Sequence, residues 1–157
     1  MSPAPVSAVS TVGALQRALA AEDAAVYGYG VAGAHLSGSS QATAQQYWTA
    51  HRQARDALAA MISALRAVPV SALAYYDLPL PVTDAASARL LAAHLEDGVT
   101  AAYLGLVAVS SDRLRKFAAL AMQDSAVRAA RWRGSTQAFP GLSLNGLFGL
   151  NGVSGGQ

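Results

Sequence analysis

The sequence predicts an all-α fold: an antiparallel four-helix bundle with one long crossover between its second and third helices. Three observations carry this reading. Four segments hold apolar residues at helical spacing. Hydrophobic residues make up 53% of the chain and charged residues only 13%. Much of the apolar fraction is alanine, which favours helices and lets them pack closely. The segments are joined by short, long and short connections. The 157 residues suffice for one domain with its own core.

The first helix is expected over about residues 11–36. Leu15, Leu19, Val26 and Tyr29 keep one face, and Glu22 stands in the middle of it. The second is expected to start near Thr43, which has capping-box spacing to Gln46, and to stop at about Ala67, before Pro69. Trp48, Leu58, Ile62 and Leu65 mark its stripe, and His51 lies within it. The third begins near Thr83 or Asp84, both favourable N-cap types, and runs to about Val109. Ala92, Val99, Tyr103 and Leu106 mark its face, and Glu96 joins them. A turn at "SSD", residues 110–112, leads into the fourth, from about Asp112 to Arg133, with Gly134 as its stop. Leu114, Phe117, Ala121 and Val127 mark that face, and Asp124 falls inside it.

The middle connection, "PVSALAYYDLPLPV" at 69–82, carries three prolines. Extended, it spans roughly 46 Å at about 3.3 Å per residue. A helix of the expected length is only about 38 Å long. The third helix can therefore start at the opposite end of the bundle. Short, long, short is the connection pattern of a ferritin-like bundle, not of a simple up-down-up-down one.

Composition excludes several function classes. There are no cysteines, hence no disulfide framework and no thiolate metal site. The N-terminus lacks the basic region and apolar stretch of a secretory signal. No continuous apolar run reaches the roughly 18 to 20 residues of a membrane span. A cytoplasmic protein that does not contact a membrane is expected. The formal charge of +2 permits an acidic partner without requiring one. Helix four and its ends are basic, through Arg113, Arg115, Lys116, Arg128, Arg131 and Arg133. No nucleic-acid-binding motif accompanies them, so a solvated face is expected and nucleic acid is not. No nucleophile motif or phosphate-binding glycine loop is present. His35 and His94 read as surface or helix-end residues, Arg52 with Asp56 as a surface pair, and Trp132 as a packing cap.

The four polar interruptions remain. A buried carboxylate is costly unless it is paired, protonated or bound to a metal. Glu22, His51, Glu96 and Asp124 come from four different helices and could meet at one level. The di-iron carboxylate bundle solves the problem with one Glu from each of two helices and Glu-x-x-His from each of the other two. Here Glu22 and Glu96 match the single glutamates. "WTAH" keeps His51 but places Trp48 at the acid position. "DSAV" keeps a shortened acid, Asp124, and has Val127 in place of the histidine. One ion held by His51 and two or three carboxylates would suit iron, manganese or zinc. The alternative is a hydrogen-bonded network: Glu22 with His51, and Glu96 with a tyrosine hydroxyl from Tyr27, Tyr29 or Tyr103.

The segments "LAAEDAAVYGYG", "HRQARD", "YYDLPLPV", "LLAAHLED" with Tyr103, and "FPGL" together resemble the actinobacterial ferritin-like domain proteins of unassigned function. The resemblance covers roughly residues 11–142. It implies a ferritin-like bundle and no established activity. An active iron-binding or iron-oxidising enzyme is the alternative expectation to a degenerate, non-catalytic or weakly metal-binding site.

Residues 1–10 are expected to flank the bundle as a flexible N-terminus. Residues 143–157 form a Gly/Leu-rich tail, with Leu144, Leu147, Phe148, Leu150 and Val153 as apolar anchors. A purely solvating tail would be polar. This one is expected to contact a protein partner, a second subunit of a homo-oligomer such as a dimer, or a shell. It resembles the short C-terminal tails that direct cargo into encapsulin shells.

Overall fold

The computed structural model describes residues 10–135. It contains four α-helices, α1 (Thr11–Ala34), α2 (Gly38–Ala64), α3 (Ala85–Val107) and α4 (Asp112–Arg133), with no strand among the described residues. The "FPGL" segment and the 143–157 tail lie outside them.

Each helix start has a local cause. The Ser10 hydroxyl accepts from the Gly13 amide and opens α1. Asp84 opens α3 with a reciprocal capping box to Ser87, which holds the Asp84 carboxyl below the usual carboxylate range. Ser111 caps α4. The expected start of α2 at Thr43 is corrected. The helix begins five residues earlier, at Gly38, and the Thr43 hydroxyl donates back to the Ser39 carbonyl at 2.9 Å. A Ser/Thr-rich stretch can be capping chemistry or the exposed first turns of a helix, and spacing alone does not separate the two.

Two helix ends use the left-handed region. Gly134 ends α4 at φ 76°. After α2 the same role falls to Arg66, at φ 58°. The Ala67 amide donates to the Ile62 carbonyl and the Arg66 amide to Ser63, the two bonds of a Schellman motif.

Partner contacts set the helix directions. α1 and α2 are antiparallel: Gln41 reaches Gly33 at one end, and Gln16 meets Val68 at the other. α1 and α3 are antiparallel as well, with Tyr29 on Glu96 and Tyr103 on Glu22. α3 and α4 are antiparallel through Tyr103 with Phe117 and Asp97 with Arg133. It follows that α2 and α3 run parallel, which only a long connection permits. Residues 65–84 supply it. The Gln16 side chain donates to the Val68 carbonyl (2.7 Å) and accepts from the Val70 amide (2.8 Å). Further along, Tyr75 and Tyr76 pack on Tyr27, and Leu78 and Val82 reach the core. The crossover thus runs along α1 as its length predicts.

The core has two apolar halves. One gathers Leu15, Leu19, Leu58, Ile62, Val99 and Leu106. The other gathers Leu36, Tyr47, Ala88 and Leu91 around Tyr29. By length and composition α3 could cross a membrane, contrary to the sequence expectation that no segment could. It packs against α1 and α4, and it supplies Val99, Tyr103 and Leu106 to one core half and Ala88, Leu91 and Ala92 to the other, so its apolar character has a packing cause.

The predicted face of α4 is corrected at two positions, while Leu114, Phe117 and Ala121 pack against the core as expected. Val127 is 48% exposed and Asp124 is exposed. The buried positions are Ala118, Ser125 and Ala129. These small side chains permit close approach to α3, yet they contribute little to a hydropathy stripe. At Asp124 and Val127 the apparent stripe therefore lay out of register with the buried positions Ser125 and Ala129. Trp48 and Leu65 are also less buried than expected, and Tyr47 takes the inward place on α2.

Candidate functional site

Between the two core halves lies a buried polar layer. Glu22, His51 and Glu96 are 2%, 1% and 0% exposed. They come from α1, α2 and α3, and the helix stripes bring them to one level. His51 stands between the acids. Its Nδ1 is 2.6 Å from Glu22 Oε2 and its Nε2 is 3.0 Å from Glu96 Oε1. Both nitrogens face carboxyl oxygens, and with both glutamates ionised these accept only, so both nitrogens donate and the ring is an imidazolium. Burial alone would push His51 down. The hydrogen bonds and charges of Glu22 and Glu96 overcome it and raise His51 from 6.5 to about 9.

Two tyrosines extend the layer. Tyr103 donates to Glu22 Oε1 at 2.7 Å, and Tyr29 donates to Glu96 Oε1 at 2.6 Å. Burial, followed by the neighbouring glutamate charge, raises both hydroxyls well above the ordinary tyrosine value. They remain donors at any physiological pH. The Tyr29 hydroxyl in turn accepts from Trp132 Nε1 at 2.8 Å. One chain of contacts therefore runs Tyr103, Glu22, His51, Glu96, Tyr29, Trp132 and touches all four helices.

Sequence reasoning expected four convergent groups, and three converge. Asp124 does not: it sits on the exposed face of α4, and buried Ser125 holds the inward position beside it. The expected Glu22–His51 contact is present, and Glu96 takes its tyrosine from Tyr29, not Tyr27 or Tyr103. Trp132 packs as expected and also donates a hydrogen bond. Asp56 pairs with Arg55 at 2.8 Å, not Arg52, and the Arg52 guanidinium lies 4.7 Å over the Trp48 ring. Tyr47 was missed, although it lies four residues before His51 and so shares its helix face.

A two-metal centre does not fit these residues. Among the described residues no group of three or more His, Asp or Glu side chains is placed to hold a metal ion. The three acidic and basic groups bond to one another, not around a common point. Trp48 and Val127 stand where two ligands would be needed. One atom of the layer is left over: Glu96 Oε2 is buried and has no hydrogen-bond partner among the described residues.

Residues 14–144 match the profile of a family described as a domain of unknown function (DUF4439). No curated protein matches. Among solved structures, the chain is similar to a conserved hypothetical protein, rv2844, from Mycobacterium tuberculosis. The two are 34% identical with a TM-score of 0.77, over 83% of this chain and 98% of that one.

Proposed function

The chain belongs to the DUF4439 family, and we propose that it is a non-enzymatic ferritin-like bundle in which a buried imidazolium replaces metal ions as the counter-charge for inward-facing carboxylates. The observation that carries this reading is the placement of one carboxylate on each ring nitrogen of His51. A histidine that ligates a metal must offer a free nitrogen lone pair. With both glutamates ionised, both ring nitrogens donate, and the two carboxylates hold the imidazolium proton more tightly than water holds that of a free imidazole. The parallel α2 and α3 joined by a long crossover support the ferritin-like assignment. The layer then serves register: only one set of helix rotations satisfies all of its hydrogen bonds.

A second reading has one observation in its favour. Glu96 Oε2 is a buried oxygen without a partner among the described residues, which is expensive unless something meets it. A single divalent ion bound weakly by Glu96, with His51 after it has lost a proton, would meet it.

Metal analysis of protein purified without a histidine tag, followed by iron(II) and zinc(II) titration, decides between them. The first reading expects no stoichiometric metal and no difference between wild type and His51→Ala. One ion per chain, lost in His51→Ala, establishes the second. Two irons per chain with fast oxidation overturns both and makes the protein an iron-oxidising enzyme.

A further inference from the structure

A polar cavity of about 510 Å³ opens where the first turns of α2 meet α3 and the last turn of α4. Ser40, Thr43, Tyr47, Arg89, Arg131 and Arg133 line it. It lies outside the buried layer described above, and of the basic residues that line it Arg131 and Arg133 read from sequence only as part of a solvated face. The structure separates those charges. Arg113, Arg115 and Lys116 sit at the start of α4, and Arg128, Arg131 and Arg133 at its end.

The charges at this cavity are not balanced. Arg133 is paired with Asp97. Among the described residues the Arg89 guanidinium meets only the Ser40 hydroxyl, at 3.0 Å. Among the same residues Arg131 meets only the Tyr47 hydroxyl, at 2.9 Å, and Arg128 lies 5.0 Å over the ring of the same tyrosine. All nine acidic residues of the chain fall within the described residues, so no other side-chain carboxylate exists to neutralise Arg89 and Arg131. Two guanidinium groups from different helices thus face one cavity with only neutral hydroxyls as partners among the described residues. Those hydroxyls hold them in place without cancelling their charge.

We propose that this cavity binds the phosphate group of a soluble phosphorylated small molecule. The planar guanidinium fork matches phosphate oxygens in a bidentate way. The Ser40 hydroxyl adds a neutral donor, and Ser37 places no side-chain cap on the α2 amides beside it. The volume suits a ligand larger than phosphate itself, since small-molecule sites run about 300–1,000 Å³. Tyr47 and Trp132, with ring centroids 6.0 Å apart at right angles, provide an apolar wall for the remainder. Asp97 lies beside Arg133 and opposes an anion there, so Arg89 and Arg131 carry the recognition.

The test is calorimetric titration of the full chain with pyrophosphate at low ionic strength in a phosphate-free buffer. One-site binding that weakens as salt is added is expected. Arg89→Ala and Arg131→Ala should each weaken it about tenfold or more. Both side chains are exposed, so neither substitution threatens the fold. Arg113→Ala, at the other end of α4, should leave it unchanged. Absence of binding to wild type overturns the proposal. So does an equal loss in Arg113→Ala, which would mean diffuse attraction to a basic surface. Binding to phosphatidylglycerol vesicles with none to pyrophosphate also overturns it, in favour of a lipid headgroup.

Discussion

The Tyr29 ring lies against the His51 ring, with centroids 5.3 Å apart and planes 29° from parallel. The tyrosine thus covers a buried imidazolium with its π face, a favourable arrangement for a cation. Its hydroxyl meanwhile serves Glu96. One side chain from α1 touches both the charge on α2 and the acid on α3.

Tyr29→Phe separates those two tasks. The ring stays, the donor to Glu96 goes, and the Trp132 indole loses its acceptor. A cost of about 1–3 kcal/mol is expected, read as a lower urea midpoint with an unchanged slope. A neutral effect would mean that the hydroxyl contributes nothing and that only the ring matters.

Stability should fall on the alkaline side. His51 binds its proton more tightly in the folded chain, at about 9 against 6.5. Its contribution is complete below about pH 6.5 and is lost as the pH rises through 9. A shift of this size is worth on the order of 3 kcal/mol. Urea unfolding of wild type at intervals from pH 6 to 10 should show the decline, and His51→Gln should flatten it.

Asp124 and His51 should behave oppositely on truncation. His51→Ala leaves two buried carboxylates facing each other without a cation, at a cost of about 3–5 kcal/mol. Asp124→Ala alters an exposed side chain, and a change within about 0.5 kcal/mol is expected. Thermal melts of both variants at neutral pH check this. A large loss in Asp124→Ala would return that residue to the site.

Two glycines of α1 should respond with opposite sign. A Cβ at Gly28 would stand 2.5 Å from Leu95 Cδ1 and 3.2 Å from its Cγ, whereas at Gly30 it would meet nothing within 4 Å. Gly30→Ala should stabilise by about 0.5–1 kcal/mol through helix propensity. Gly28→Ala forces Leu95 aside between α1 and α3 and should destabilise by about 1–3 kcal/mol. Chemical denaturation of both measures the difference.

Arg66→Gly should raise stability by about 1 kcal/mol. Arg66 holds the left-handed position that ends α2, where a Cβ is strained and glycine is not. The gain is reduced by the greater freedom of glycine in the unfolded chain. A lower melting temperature in Arg66→Gly would show that the Arg66 side chain makes a compensating contact.

The sequence by itself determined the four helices, the long crossover, and three of the four polar groups expected inside. Glu22, His51 and Glu96 each interrupt a strong apolar stripe, and a stripe of large side chains reports its own buried face. Asp124 was misread because α4 buries Ala118, Ser125 and Ala129, whose small side chains leave the true face nearly silent in hydropathy. The start of α2 was misplaced because serine and threonine serve both as caps and as exposed first-turn residues. Only the tertiary structure decided which acid meets which tyrosine, and that His51 has a carboxylate on both nitrogens. Those pairings depend on how the helices are rotated and offset against one another. Helical periodicity identifies a face but carries no information about the height at which another helix meets it.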